Sequence, residues 1–497
     1  MNAQRSLIPT RVVAAVACVL AYVQIRPAQG QFVEPGTVVI HTFTGEALGD
    51  QFGWVSEDLG DITGDGVHDL VITSPGNDTG GAGRGRAYVY NGATGALVFP
   101  AITGLVNGGR LGAAASAAGD FNGDGVRDVI VGSPTQTTST GRAAVHSGVD
   151  GSLIMAWTGA ATGDQFGYDV ATLGDITGDG RSEVLVGAPN NDAGGTNAGR
   201  VYVYSGAVGG PLLIAINGLS GADRFGSAVA SVGDITGDGL DDFVIGAESF
   251  GAGVGSGSGQ AYVYSGADCL LPATPTPVWT LTPGAPAAVF GQWFADGNSD
   301  VDNDGVFDVY VSDYNANRAR VFSGATGLEI RTFMGDGNGG FGIGRMAGDV
   351  DQDGWGDLLL AAWISNAGAS GAGKGFVYSG RTSAVLQTYT HNVANAQLGF
   401  DANAMGDVNA DGMTDYLLTA ANDTSATGKA YLVAGNIVPF SKADIDLDGD
   451  VDDLDVEEFV AVLLDMPLGP LHVIRSDVNA DGETDGLDIA EYLAAAL

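Results

Sequence analysis

The phrase GDITGDG occupies residues 60–66 and returns unchanged at 174–180 and 233–239. Relaxed to D-x-[DNT]-x-D-G-x-x-[DE], it occurs seven times, beginning at Asp61, Asp120, Asp175, Asp234, Asp300, Asp349 and Asp407, with successive copies 49 to 66 residues apart. A unit of that length is one supersecondary element. It buries its apolar face only against its neighbours, so the chain is committed to a repeat architecture.

The rest of the unit says which one. About nine residues before each copy stands an aromatic residue or leucine followed by glycine: Phe52-Gly53, Leu111-Gly112, Phe166-Gly167, Phe225-Gly226, Phe290-Gly291, Phe341-Gly342 and Leu398-Gly399. A β-type run follows each copy, as in LVITSP (70–75), and then a strand-and-turn signal such as GRVYVYSG (199–206) and a fourth apolar stretch such as LIMAWTG (153–159). Four short strands repeated seven times predict a mainly β fold, a seven-bladed propeller spanning 31–436. The 81 glycines, interleaved with this alternation, read as turns. The last unit lacks a fourth strand, and TVVIHTFTG (37–45) has no unit of its own. The N-terminal strand is therefore expected to complete the seventh blade.

Within the phrase, carboxylates stand at positions 1, 5 and 9, a carboxylate, amide or hydroxyl at 3, and glycine at 6 where the chain turns; position 7 offers a carbonyl. The predicted ligand sets are Asp61, Thr63, Asp65 and Asp69; Asp120, Asn122, Asp124 and Asp128; Asp175, Thr177, Asp179 and Glu183; Asp234, Thr236, Asp238 and Asp242; Asp300, Asp302, Asp304 and Asp308; Asp349, Asp351, Asp353 and Asp357; and Asp407, Asn409, Asp411 and Asp415. Hard oxygen donors in a tight loop suit Ca²⁺. Metals that favour nitrogen or sulfur find five histidines and two cysteines in no such pattern. The fifth and sixth sets, with four carboxylates each, are expected to bind tightest.

These motifs resemble the FG-GAP repeats of the integrin alpha-subunit propeller and its bacterial relatives. The third unit is the nearest, with Phe166-Gly167, the loop from Asp175 to Glu183, and Gly187-Ala188-Pro189. Leucine replaces phenylalanine in units two and seven. The resemblance implies calcium loops on one face of the propeller and recognition of protein or glycan on a face or rim.

At the N-terminus, Arg5 and Arg11 precede an apolar run at 12–23 and then small residues at Ala28 and Gly30, the pattern of a secretory signal over 1–30. Cleavage near Gly30 would remove Cys18 and leave Cys269 alone, so no internal disulfide is expected. A formal charge of −39 argues against nucleic acid or an anionic membrane as partner and makes cations the natural counterpart.

After a linker at 437–442, the segment 443–497 changes pattern. Asp444, Asp446, Asp448, Asp452 and Asp455 stand at positions 1, 3, 5, 9 and 12 of a loop, and Asp477, Asn479, Asp481, Asp485 and Asp488 repeat the spacing. Each loop leads into an apolar-faced helical stretch, at 456–464 and 489–497. Two such units resemble a dockerin, an EF-hand-like double calcium module, which implies two more calcium ions and a cohesin-like partner. At loop positions 10 and 11 this chain has Asp453-Leu454 and Gly486-Leu487 in place of the Ser/Thr pairs frequent in dockerins.

The expected function is that of a secreted or cell-surface, calcium-binding, non-catalytic adhesion, binding or scaffold protein without a transmembrane segment in its mature chain. Its expected partners are extracellular protein or glycan. The alternative is an extracellular polysaccharide lyase or hydrolase attached through its dockerin-like module. No catalytic residues are assigned: the five histidines fall outside any recurrent motif, and His68, at position 8 of the first loop, reads as an exposed loop residue.

Overall fold

The computed structural model describes residues 31–250, 259–283, 290–335, 337 and 339–437. The signal-like segment 1–30 and the dockerin-like module 443–497 with its ten predicted ligands lie outside the described residues. Seven four-stranded antiparallel sheets make up the described chain. In the first, Ser56–Gly60, Asp69–Ser74, Arg86–Tyr90 and Ile102–Thr103 pair in chain order. The same order recurs through the sixth, giving the predicted propeller.

Burial falls from the second strand of each blade to the fourth. All six residues of Asp69–Ser74, Asp128–Ser133 and Asp357–Ala362 are buried, because these strands have a neighbouring blade on both faces. Their sequences are accordingly near-continuous apolar runs. The outer strand Glu329–Met334 buries only Phe333 fully, and its sequence EIRTFM mixes charged and apolar residues. The cores lie between blades: Leu59, Val71 and Val89 of the first pack with Ala115, Val129 and Val131 of the second.

The joints between blades explain the aromatic-glycine dipeptide. Phe52, Phe166, Phe225, Phe290, Phe341 and Leu398 are fully or almost fully buried. The glycine after each has a positive φ, and a Cβ on Gly167 would stand 2.4 Å from the carbonyl oxygen of Arg142 in the preceding blade. Only glycine fits such an approach. A second set of joints uses carboxylates. Asp401 accepts the Ser56 N–H at 2.8 Å, Asp169 that of Val229 at 2.8 Å, and Asp296 that of Met346 at 3.0 Å. Each ties the first strand of one blade to the first strand of the next, where no ladder joins them.

Ring closure follows the expectation. The seventh sheet contains Leu398–Ala404, Tyr416–Ala420 and Lys429–Val433, and its outer strand is Val39–Thr44, with Phe43 opposite Ala430 and Thr44 opposite Lys429. Upstream residues add a clamp on the sixth blade. Phe32 meets the rings of Tyr389, His391 and Tyr431 edge-on, and the Glu34 carboxylate accepts the Thr390 N–H at 2.7 Å. In the Pro-rich stretch 272–289, Trp279–Leu281 forms the outer strand of the fourth blade, and 284–289 lie outside the described residues. Cys269 is free and buried, and burial pushes its thiol up to about 12. Among the described residues no helix is long and apolar enough to cross a membrane.

Candidate metal-binding loops

All seven acidic phrases fold as the turn between the first and second strands of a blade, so all seven loops lie on one face of the ring. Position 9 begins the second strand, as Asp69, Asp128, Asp242, Asp308 and Asp357 do. Glycine at position 6 has φ between 82° and 89° in every loop, which is the turn its sequence position predicts.

The carboxylates organise the loop backbone. Asp61 accepts the N–H groups of Gly64, Asp65 and Gly66 at 2.6, 3.0 and 2.8 Å, and Asp120 and Asp175 repeat the arrangement. Asp234, Asp300, Asp349 and Asp407 accept from positions 5 and 6. Position 5 accepts from position 7, as Asp65 does from Val67, and Asp179 and Asp411 likewise. The buried position 9 reaches furthest: Asp69 accepts from Ile62, Thr63 and, across the blade, Gly92. Asp128, Asp242, Asp308, Asp357 and Asp415 make the same cross-blade bond to Gly148, Gly266, Gly324, Gly380 and Gly435.

The loops differ at position 3. In the first loop the Asn91 amide donates to the Thr63 hydroxyl at 3.0 Å and to Asp65 at 2.5 Å. In the second, the Asn122 amide donates to Asp124 at 2.8 Å. Thr177 and Thr236 lie at 3.4–3.5 Å from Glu183 and Asp242, and Ser265 donates to Asp238 at 3.0 Å. In the seventh loop Asn409 donates to Asp415 at 3.4 Å. Asp302 and Asp351, by contrast, are acceptors like their neighbours. Oxygens of Asp300, Asp302 and Asp304 come within 4.8 Å of one another, as do those of Asp349, Asp351 and Asp353, and Oδ1 of Asp302 is buried without a hydrogen-bond partner. Asn91 and Ser265 were missed by motif reading. They sit at the end of the third strand, where the recurring Tyr-[Asn/Ser]-Gly of YVYNG and YVYSG is their only signal.

Burial and crowding raise the carboxyls: Asp357 is pushed up to about 8, first by desolvation and then by Asp351, and Asp308 to about 7 by desolvation. Asp128 and Asp242 reach about 6 and Asp415 about 7, again chiefly through burial. A divalent cation would reverse this by favouring the ionised form. The orphaned Asp302 oxygen and the hard donor set make the fifth and sixth loops fit Ca²⁺ best. His68 pairs with Asp58 at 2.8 Å, a hydrogen bond that raises its pKa, in keeping with an exposed loop residue.

The FG-GAP repeat family matches residues 53–90, 112–146, 166–204 and 225–264, the first four blades. Integrin alpha-V of Gallus gallus is 32% identical over 216 residues, covering 41% of this chain and 20% of that protein. Integrin alpha-PS2 of Drosophila melanogaster is 32% identical over 219 residues, covering 41% and 15%. Integrin alpha-IIb of Homo sapiens is 33% identical over 217 residues, covering 41% and 20%. The chain thus spans a fifth or less of the length of these curated relatives.

Proposed function

With FG-GAP repeats in a seven-bladed ring as the premise, we propose that this protein is a non-catalytic binding or adhesion protein of the extracellular space, its ring stiffened by calcium. The observation that carries this reading is the pair of three-carboxylate clusters in the fifth and sixth loops, with a buried Asp302 oxygen that nothing else satisfies. Asp300, Asp302, Asp304 and Asp308 would hold one ion, and Asp349, Asp351, Asp353 and Asp357 another. Bound there, calcium supplies positive charge that links the two ends of the loop. The chain's own part is to hold position 1 by backbone N–H groups and position 9 by the cross-blade glycine, so that the donors converge before an ion arrives.

The likeness to integrin alpha chains and the signal-like N-terminus support an extracellular setting with protein or glycan as partner. The dockerin-like loops support two further calcium ions and tethering to a cohesin-like domain. Calorimetric titration of the full chain with Ca²⁺ tests the reading. At least two tight sites are expected, both lost in the double variant Asp302→Asn, Asp351→Asn. Absence of calcium uptake at millimolar concentration overturns it.

A further inference from the structure

Opposite the acidic loops, the starts of the first strands and the ends of the second surround an axial cavity of about 670 Å³. That volume falls within the roughly 300–1,000 Å³ of small-molecule sites. Its walls are aromatic. Trp54 and Trp363 flank Phe400 with centroids 4.9 and 5.7 Å away, and Trp293 stacks on Tyr314 at 5.9 Å and 7°. The Trp293 indole N–H donates to the Tyr168 hydroxyl at 2.6 Å, which fixes the ring in place.

Trp293 is unusual in two ways. It is 39% exposed, and its φ is +63°, a left-handed conformation that costs a bulky L-residue roughly 1–2 kcal/mol. A strained backbone that holds an aromatic ring at a cavity mouth points to use of that ring.

The charges around the cavity narrow the guest. The guanidinium groups of Arg110, Arg224 and Arg345 lie 5.5, 5.6 and 5.9 Å from the ring centres of Trp54, Tyr168 and Phe294. The Trp54, Tyr168 and Phe294 faces, which would attract a cationic ligand, are thus already covered by the chain's own cations. An anion would meet Glu57, Asp169, Asp296 and Asp401 in the lining. These carboxylates are engaged by the interblade N–H groups and by Arg345, which lies 2.8 Å from Glu57 and 3.3 Å from Asp401. What the cavity still offers is the Trp293 ring, with Asn315 next to its stacking partner Tyr314, and neutral polar side chains elsewhere in the lining, among them Ser116 and Asn298.

We propose that the axial cavity binds a neutral sugar ring, stacked by its C–H face on Trp293 and held through its hydroxyls by the neutral side chains around it. This names a ligand class and a place for the recognition role proposed above, and it rests on that role.

The test is titration of the full chain, in millimolar calcium, with neutral hexasaccharides of glucose, mannose, xylose and N-acetylglucosamine, followed by tryptophan fluorescence and calorimetry. Saturable binding of at least one is expected. Trp293→Gly should raise its Kd by about tenfold or more with Tm preserved, since glycine adopts φ +63° without strain. Asn315→Ala, at an exposed position, should weaken binding severalfold and serves if Trp293→Gly fails to fold. The inference is overturned if no neutral hexasaccharide binds at millimolar concentration, or if binding is indifferent to both variants. It is also overturned if spermine or a hexauronate competes at the cavity more strongly than any neutral sugar. A protein partner captured in calcium while all sugars fail would sink the sugar site and leave the recognition role standing.

Discussion

The first two acidic loops and the fifth and sixth share one backbone design and differ in what occupies position 3. In the former, Thr63 and Asn122 belong to side-chain hydrogen-bond networks that already cover Asp65 and Asp124. In the latter, Asp302 and Asp351 add a carboxylate where a donor would have been, and an oxygen of Asp302 is left bare. The contrast teaches that the repeated phrase has two separable jobs. Positions 1, 5 and 9 shape the turn in every blade, with or without an ion. Position 3 either joins the turn's side-chain hydrogen bonds or adds a further carboxylate to it. The FG-GAP family matches the first four blades, so the two three-carboxylate clusters stand outside the part of the chain that is easiest to recognise.

The largest change expected treats both regions alike. Deleting 31–46 removes the outer strand of the seventh blade and the buried rings of Phe32 and Phe43, each worth about 1.5–3 kcal/mol. Thermal unfolding should move down by several degrees with calcium or chelator alike, and an unchanged Tm would show that the ring does not close through this strand. Next comes calcium itself. Each loop that binds should stabilise the ring by about 2.7 kcal/mol when the ion stands a hundredfold above its Kd. Asp302→Asn with Asp351→Asn should abolish most of that gain, whereas Thr63→Asn should leave it intact; equal losses would erase the distinction between the loops.

Truncating position 9 sharpens the comparison further. Asp69→Ala strands the N–H groups of Ile62, Thr63 and Gly92, and Asp357→Ala those of Val350 and Gly380. Chemical denaturation in chelator should show a similar loss for both, about 2–3 kcal/mol. Only Asp357→Ala should lose more when calcium is added.

The pH dependence runs in a definite direction. In the folded chain Asp357 and Asp308 sit at about 8 and 7, above their unfolded values, so the native state holds more protons than the unfolded one between about pH 4 and 8. Their contribution is present at the acid end of that window and is lost as pH rises through the folded values. Chelated protein should therefore melt lower at pH 8 than at pH 5, and calcium should flatten the profile. The smallest effect concerns position 4, where Ala410 has φ +63° while the first four loops place glycine. Ala410→Gly should gain up to about 1 kcal/mol in denaturant titration.

The blades, their number and the closing strand were legible because each leaves a local trace: a period, an aromatic-glycine joint, an orphan apolar run. The acidic loops, as turns between the first and second strands, were legible for the same reason. The axial cavity was not. Trp54, Tyr168, Trp293, Trp363 and Phe400 come from five blades and become neighbours only when the ring closes. Trp54, Tyr168 and Phe400 do follow an aromatic-glycine or leucine-glycine pair directly, a faint regularity that motif reading passed over. Asp169, Asp296 and Asp401 escaped notice because each braces the next blade from a position outside the repeated acidic phrase, and among the described residues no other blade repeats the same brace in the same register.

The pairing of Val39–Thr44 with Lys429–Val433 has a consequence for biogenesis. On a growing polypeptide the early strand finds its mate only after nearly every blade has been made, and it must wait with its backbone amides unclaimed. Such late, long-range zippering is slow and leaves a sticky edge open to other nascent chains. The hazard ends only when the last blade has been synthesised and the ring snaps shut.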